Sequence, residues 1–421
     1  MKQNFKFYFK RLTNKLWFRP LIFCLFSIVA ALIAHFADNS FIGDMAPNIE
    51  KKSLEDLLTT ISSSMLVIAI FAVGSMLSAY AAASSTATPR SYQLVVADDV
   101  SQNALSVYIG SFIFSIVAAV ALKNGYYGEA GIFTLFVLTL IVFSIVILTF
   151  LKWVERISKL GRLEHTIKKV EEATNKAINQ RLQEPFMGGS PIPDKSEAGT
   201  PIYSEKIGYV QHINMERLQE LAIKNNANII LKCLPGTFCT TDNPIAFISS
   251  TDNSNIKIDN EKLTKAFTID DSRSFHDDPR FGIIALSEIA SRALSPGIND
   301  PGTAIAIIGS HVRIFTLWAK GKQRDTTEKV KYDRIMVAAI SLADMFDDAF
   351  RPIARDGAYN LEVMIRLQKA LISVANVGDA ETKALVMEHS RQAFERAELV
   401  MERKQDLALL KKECLFMKEV I

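Results

Sequence analysis

Small residues recur at every fourth position in one apolar stretch, and they are the first candidates for function. They form two series: Gly74, Ser78 and Ala82, and Ser75, Ala79 and Ala83. Residues four apart lie on one face of a helix, and small side chains there let two helix backbones approach closely. In an oligomer the same face can line a narrow water-filled path. Two interpretations stay open: tight packing within one chain, or a helix that lines a pore.

The same stretch is interrupted at Pro89-Arg90. Proline lacks a backbone donor and disfavours helix at the preceding residue, so the simplest interpretation is a helix end with a basic anchor at the membrane surface. The alternative is a hinge at the mouth of a channel, with Arg90 meeting a lipid phosphate or a permeating anion. Asp98 and Asp99 would then be partners of Arg90, or caps of the next helix.

A second motif, SPGINDPGT at 295–303, places Asn299 and Asp300 between two Pro-Gly pairs. Asp300 is a candidate cap for a helix that begins near Gly302. The alternative is a ligand loop, because a helix N-terminus flanked by glycines can bind an anion. The nearest ionisable groups are Glu288, Arg292 and His276. A Glu and an Arg four apart on a helix more often form an ion pair than an acid-base pair.

The sequence holds no phosphate-binding loop, zinc-protease motif, nucleophile elbow or dinucleotide fingerprint in a supporting context. The six histidines are scattered, and the four cysteines form no CxxC pair. We therefore expect no catalytic residues, no bound metal and no cofactor, and we expect that the protein is not an enzyme. The cysteines are expected to be small core residues in a reducing compartment.

Hydrophobic residues make up 49% of the 421 residues, and the excess lies in the first 151. Four apolar segments there, at about 21–37, 62–83, 104–122 and 130–151, are each near the roughly 20 residues that cross a bilayer. No ionisable residue lies deep in these segments, and His35 is near an end. This argues against an ion-coupled transporter and permits a weakly selective channel.

The placement of Lys and Arg predicts the orientation in the membrane. Residues 1–20 contain six Lys/Arg and no acidic residue, and residues 152–169 are also basic. Because basic segments stay in the cytoplasm, four crossings place both termini there. The net charge of +3 gives no reason to expect nucleic acid as a partner. The expected partners are the lipid bilayer and other copies of the chain.

The pattern predicts a mainly α protein with a four-helix transmembrane N-terminal half and a cytoplasmic α+β half. The predicted domains are a four-span transmembrane domain at 1–151, a helical stalk at 152–185, a loop rich in Pro, Gly and Ser at 186–203, a small α/β module at 204–278 and a cytoplasmic helical bundle at 279–421. Within the module, a strand, a turn at Pro235-Gly236 and a return strand resemble half of a lipoyl- or biotinyl-like sandwich. The turn contains no lysine, so a covalently carried cofactor is not expected.

Several segments in the same order resemble the bacterial predicted membrane proteins of domain-of-unknown-function family 2254. They lie at 87–112, 207–222 and 234–238 and, above all, at 278–304, DPRFGIIALSEIASRALSPGINDPGTA. The resemblance implies a bacterial inner-membrane protein with a membrane half and a cytoplasmic half. It implies no reaction, cofactor or catalytic residue, because that family is named for lacking an assigned function.

Two functional hypotheses follow. The first is a homo-oligomeric channel-like protein in which the second membrane helix lines the path. The second is a non-conducting scaffold or sensor whose cytoplasmic half binds a ligand or a partner protein. Oligomeric state separates them, because a ring of second helices favours the pore and a monomer favours the scaffold.

Overall fold

The structure is a computed structural model that describes residues 17–36, 38, 47, 49–86, 88–96, 98–193, 199–250, 259–322 and 330–418. The protein is mainly helical with a small sheet region. Its chain divides into two compact units between Thr166 and Ile167. We call them the N-terminal unit and the C-terminal unit.

The N-terminal unit is built from long apolar helices. Their bounds are α1 Phe18–Phe36, α2 Lys51–Thr86, α3 Pro89–Val96, α4 Asp99–Lys123 and α5 Glu129–Lys159. Helix α4 packs against α1, α2 and α5, and it begins at an N-cap, where Asp98 accepts a hydrogen bond from the Ser101 N–H at 3.0 Å. Close packing in this unit depends on Gly110 of α4, where a Cβ atom would lie 3.1 Å from Ser27 Oγ.

In the part of the chain that the structure describes, five helices are long and apolar enough to cross a membrane. Four lie in the N-terminal unit, at Phe18–His35, Lys51–Ser84, Asp99–Lys123 and Glu129–Lys159. They correspond to the four expected segments, and the last three extend beyond them at both ends. The fifth, Pro301–Lys322, was not expected to span, and it belongs to the C-terminal unit.

The predicted stalk is not one continuous helix. Helix α5 ends at Lys159, and α6 runs from Leu163 to Gln183. Between them Gly161 has a φ of +87°, a left-handed conformation that glycine adopts without strain. The charged helical pattern of 152–185 predicts a stalk without this break, because a single glycine is often tolerated inside a helix.

The C-terminal unit contains two small sheets. Its strands are β1 Ser190–Pro191, β2 Thr200–Tyr203, β3 Gly208–Ile213, β4 Ala227–Leu231, β5 Phe238–Cys239, β6 Pro244–Ser250, β7 Phe267–Asp270 and β8 Ile335–Val337. One sheet has the order β1-β8-β4-β6-β2, and the other has the order β5-β3-β7. The first sheet extends beyond 204–278, since β1 and β2 lie in the segment read as a loop and β8 in the segment read as a bundle.

The described part of the C-terminal unit also contains helices, of which α7 Met215–Lys224 and α8 Asn260–Thr264 contact the sheets. The helices that follow them are α9 Pro279–Ala293, α10 Pro301–Lys322, α11 Leu342–Asp356, α12 Leu361–Ala375, α13 Ala380–Val400, α14 Lys404–Glu413 and α15 Leu415–Lys418. Helix α9 packs against α10 and α11, and α13 packs against α11 and α12. Phe315, Phe346 and Phe350 stack in the core, with ring centroids 4.5–5.4 Å apart.

Candidate functional site

An open groove of about 580 Å³ lies on the surface of the N-terminal unit. Helix α2 and the end of α5 line it with Phe71, Gly74, Ser75, Ser78, Ala79, Ala82, Ile157 and Leu160. Five of the six small residues that the spacing selected therefore lie in one concave surface, which we call the α2 groove.

The small residues of α2 differ in how far they are covered by their own chain. Gly74, Ser78 and Ala82 are exposed, Ser75 and Ala79 are half-buried, and Ala83 is buried. A Cβ atom on Gly74 would meet nothing within 4 Å. Most of this face is thus left open by the folded chain. The α2 groove offers exposed backbone and serine hydroxyls, which suit contact with a second helix or with water.

Pro89 and Arg90 begin a separate short helix. Pro89 is the first residue of α3, a position where a missing N–H costs nothing, and Arg90 is exposed. The turn is closed by Ser91, whose hydroxyl donates to the Thr88 carbonyl at 2.8 Å. The chain between α2 and α4 therefore contains eight helical residues, and the role of this segment as a hinge stays a prediction.

Asp98 and Asp99 are engaged by other arginines. Asp98 caps α4 and accepts a hydrogen bond from Arg156 Nε of α5 at 2.8 Å, while Asp99 pairs with Arg19 at 2.5 Å. Burial alone would raise the pKa of the Asp98 carboxyl. The hydrogen bonds from Arg156 and Ser101 outweigh burial and lower its pKa. This ion pair joins α5 to the start of α4. Arg156 directly precedes Ile157, which is a residue of the α2 groove.

The SPGINDPGT loop has the geometry of a helix cap. The Asp300 carboxylate accepts hydrogen bonds from the Thr303 N–H at 3.1 Å and from its hydroxyl at 2.5 Å. Asn299 has a φ of +49°, and the Asp300 N–H donates to the Ala293 carbonyl at 2.8 Å. The Asp300 side chain therefore serves the first turn of α10.

A histidine-aspartate cluster in the C-terminal unit was not found from the sequence. His212 Nδ1 of β3 lies 2.6 Å from Asp277 Oδ2, and His276 Nδ1 contacts the other oxygen of Asp277. Burial would raise the pKa of Asp277, but the hydrogen bonds from the two histidines outweigh it and lower that pKa. His212 and Asp277 lie 65 residues apart, so only the His276-Asp277-Asp278 run was available as a signal.

The cluster does not form a metal centre. Among the described residues, no group of three or more His, Cys, Asp or Glu side chains is arranged to hold a metal ion. Both oxygens of Asp277 already accept hydrogen bonds from imidazoles. The arrangement instead joins β3 to the segment that precedes α9.

The comparisons with known proteins agree with the long apolar helices. Residues 13–373 match the family described as predicted membrane protein (DUF2254). The chain belongs to the DUF2254 family. The resemblance read from the sequence motifs is thereby confirmed, and this DUF2254 protein is a predicted multi-pass membrane protein of unknown function.

Two curated relatives of this DUF2254 protein come from mycobacteria. They are uncharacterised proteins of Mycobacterium bovis and Mycobacterium tuberculosis, each 25% identical over 122 residues. The match covers 28% of this chain and 23% of each relative, so it spans about a quarter of their length. No solved structure matches.

Proposed function

We propose that this DUF2254 protein is a bacterial inner-membrane protein that self-associates through the α2 groove into a channel-like homo-oligomer. The observation that carries the proposal is the exposure of Gly74, Ser78 and Ala82 on a single chain. In lipid, helix association is driven by close packing of small residues and by hydroxyl contacts. In a closed ring of copies, one edge of this small-residue face packs against the α2 helix of the next copy, and the rest of the face lines the axis.

The other exposed faces of α2 suit lipid rather than a partner. Val73 and Leu77, which lie four apart on another face of α2, are large, apolar and exposed. In a membrane these side chains contact acyl chains at no cost, while the small residues form a recess that lipid tails fill poorly. A ring of copies with the α2 groove facing its axis places Ser75 and Ser78 beside a narrow path, and hydroxyls there solvate ions weakly.

The proposal places four crossings in the membrane, at α1, α2, α4 and α5, and leaves α10 in the cytoplasm with both termini. The middle of α10 supports this assignment. His311 is fully buried with Nε2 3.1 Å from Ser287 Oγ of α9, and Arg313 pairs with Glu171 at 2.6 Å. A charged residue at the centre of a span is costly, and Arg313 has its partner in the C-terminal unit.

Disulfide trapping tests the contact. In a Cys24→Ser background, we expect Ser78→Cys to form a disulfide-linked dimer in membranes under mild oxidation. Leu77→Cys is the matched control, because Leu77 directly precedes Ser78 in α2 and points about 100° away from it. Equal trapping at both positions, or none at Ser78→Cys, would contradict self-association through the α2 groove.

Single-channel recording in reconstituted bilayers tests conduction. We expect wild-type channels to open under voltage or tension, and we expect Gly74→Leu and Ala79→Leu to reduce the conductance by filling the path. Val73→Leu is the control, because Val73 is exposed and adjacent to Gly74 but points about 100° away, and it should leave conductance unchanged. If the wild-type protein conducts under neither stimulus, the channel proposal is overturned. The disulfide result then bears only on self-association.

The second candidate function is a non-conducting scaffold or sensor whose cytoplasmic part binds a ligand. It is favoured by a cavity in the C-terminal unit that a buried arginine lines. A monomeric mass in detergent together with absent conductance would support this candidate over the channel.

A further inference from the structure

A cavity of about 290 Å³ lies within the C-terminal unit, where three segments meet. The end of α6, the end of α10 and the segment that follows β8 contribute to its lining, which includes Arg181, Leu182, Phe186, Trp318, Lys322 and Ala339. Most of the lining side chains are apolar, two are cationic, and one, Glu381, is acidic. The cavity is separate from the histidine-aspartate cluster and from the SPGINDPGT loop, neither of which lines it.

Arg181 is a buried cation whose donors are barely used. Its residue is only 6% exposed, and among the described residues its guanidinium has one hydrogen bond, from Nη1 to the Pro185 carbonyl at 3.5 Å. A guanidinium carries five N–H donors, and a buried one normally pairs with an acidic group. The contact with Pro185 is long and satisfies at most one of these donors.

Two of the three acids near Arg181 are committed to other groups, and the third, Glu184, is exposed. Asp277 accepts from His212 and His276, and Asp278 forms two hydrogen bonds with Arg273, at 2.7 and 3.0 Å. They act on Arg181 only through longer-range attraction. Burial lowers the pKa of the Arg181 guanidinium, and these acids oppose that effect. Among the described residues, no acidic side chain therefore forms a direct hydrogen bond with Arg181.

The second cation of the cavity is already neutralised. Lys322 lies 3.1 Å from Glu381 and 3.5 Å from Asp379. Arg181 thus supplies the surplus positive charge of the lining. The aromatic wall also has a spare donor, because Trp318 Nε1 is buried without a hydrogen-bond partner in the described part of the chain. A ligand with one anionic group and an apolar body matches this combination of charge and surface.

We propose that this cavity binds a small organic anion, whose carboxylate or phosphate accepts hydrogen bonds from Arg181 and whose apolar body packs against Trp318 and Phe186. The volume lies at the lower end of ligand pockets, so a compound with a single ring or a short chain fits. A planar fork of donors suits either anion, because both accept two parallel hydrogen bonds. The proposal does not depend on whether the N-terminal unit conducts.

Titration calorimetry on the full chain in detergent tests the proposal, with benzoate and phenyl phosphate as the anionic probes. Benzamide is the uncharged control, since it has the same ring as benzoate and nearly the same shape. We expect at least one anion to bind, and benzamide to bind at least tenfold more weakly. Preference between the two anions identifies the acid class. Binding of neither anion, or equal binding of benzamide, overturns the proposal.

Two variants locate the binding. Arg181→Gln should weaken the preferred anion at least tenfold, and Arg313→Gln, which removes an exposed arginine outside the cavity lining, should not. Because a buried arginine can also affect folding, Ala339→Phe provides a second arm: residue 339 is exposed at the cavity, and a phenyl group there fills it. We expect anion binding to be lost in a folded Ala339→Phe protein. Wild-type affinity in a folded variant of either kind overturns the assignment.

Discussion

Arg273 and Asp278 form a buried ion pair beside α9. The two side chains share two hydrogen bonds, and the Asp278 carboxylate also accepts from the Phe281 N–H at 3.2 Å as the N-cap of α9. Burial raises the pKa of Asp278, and Arg273 opposes this only in part. In such a pair the desolvation of both charges offsets much of their attraction, so its loss is most costly when one partner is removed alone.

Arg273→Ala should therefore destabilise the C-terminal unit by about 3–5 kcal/mol, because it leaves the Asp278 carboxylate buried without its cation. Arg355→Ala is the matched control, since Arg355 is exposed and pairs with its neighbour Asp356. We expect the control to cost no more than about 1 kcal/mol. Denaturant unfolding followed by circular dichroism measures both, and similar losses in the two variants would contradict a buried pair.

Asp277 should make stability depend on acid. A carboxyl group whose pKa is lowered on folding stabilises the folded protein at any pH above the pKa of the unfolded state, near 3.9. This stabilisation is lost as the pH falls. The two histidines lower the pKa of Asp277 in the folded protein. The difference in unfolding free energy between wild type and Asp277→Asn should thus shrink as the pH falls from about 5 towards 3. A difference that grows in acid would refute this reading of the cluster.

At this scale the sequence was informative only about local spacing. The Asp98 and Asp300 caps were foreseen as alternatives because a cap and its helix are neighbours in sequence. The pairing of His212 with Asp277 was not foreseen, because strand β3 and the start of α9 are brought together only by the fold. Arg181 lies in the segment predicted as a stalk, and nothing in its local sequence indicates burial.

Gly161 shapes the junction between α5 and α6. Its φ is +87°, and a Cβ atom would lie 3.0 Å from the Ala79 carbonyl oxygen of α2. Gly161→Ala should lower the unfolding free energy by about 1–3 kcal/mol, through backbone strain and through this close contact. Gly125 has a φ of +67° with nothing within 4 Å, so Gly125→Ala isolates the strain.

Thermal unfolding in detergent compares the two variants. We expect Gly161→Ala to lower the melting temperature more than Gly125→Ala does. Equal shifts would mean that the approach of Gly161 to α2 has no energetic weight. A side chain at position 161 would also disturb the α2 groove, because it would displace Ala79 and Ala82 first.

The helices were more predictable than the strands. The long apolar helices follow from hydropathy and length, and the structure extends them into charged turns such as Lys51–Asp56. Strands β1, β2 and β8 contain two to four residues each, too few for a two-residue alternation to be recognised. Proline residues in Ser190–Pro191 and Thr200–Tyr203 also favoured a loop, although proline is tolerated in edge strands.

For the whole molecule, the crossing number is testable with cysteines on either side of α10. Gly297→Cys and Val330→Cys lie at open or half-exposed positions before and after this helix. In a Cys24→Ser background, four crossings predict that a membrane-impermeant maleimide labels both only after the inner membrane is opened. Tyr126→Cys, between α4 and α5, is the control and should react in cells with an intact inner membrane. Labelling of 297 and 330 from opposite sides would show that α10 spans.

The order of strands in the larger sheet has a consequence for how the protein is made. β8 pairs in parallel with both β1 and β4, yet it is translated about 100 residues after β4. At roughly 5–20 residues per second, the edges of β1 and β4 stay unpaired on the ribosome for on the order of 5–20 s. Unpaired strand edges are templates for wrong association. The larger sheet therefore cannot be completed before α9 and α10 have emerged from the ribosome. During that interval the nascent chain is exposed to aggregation.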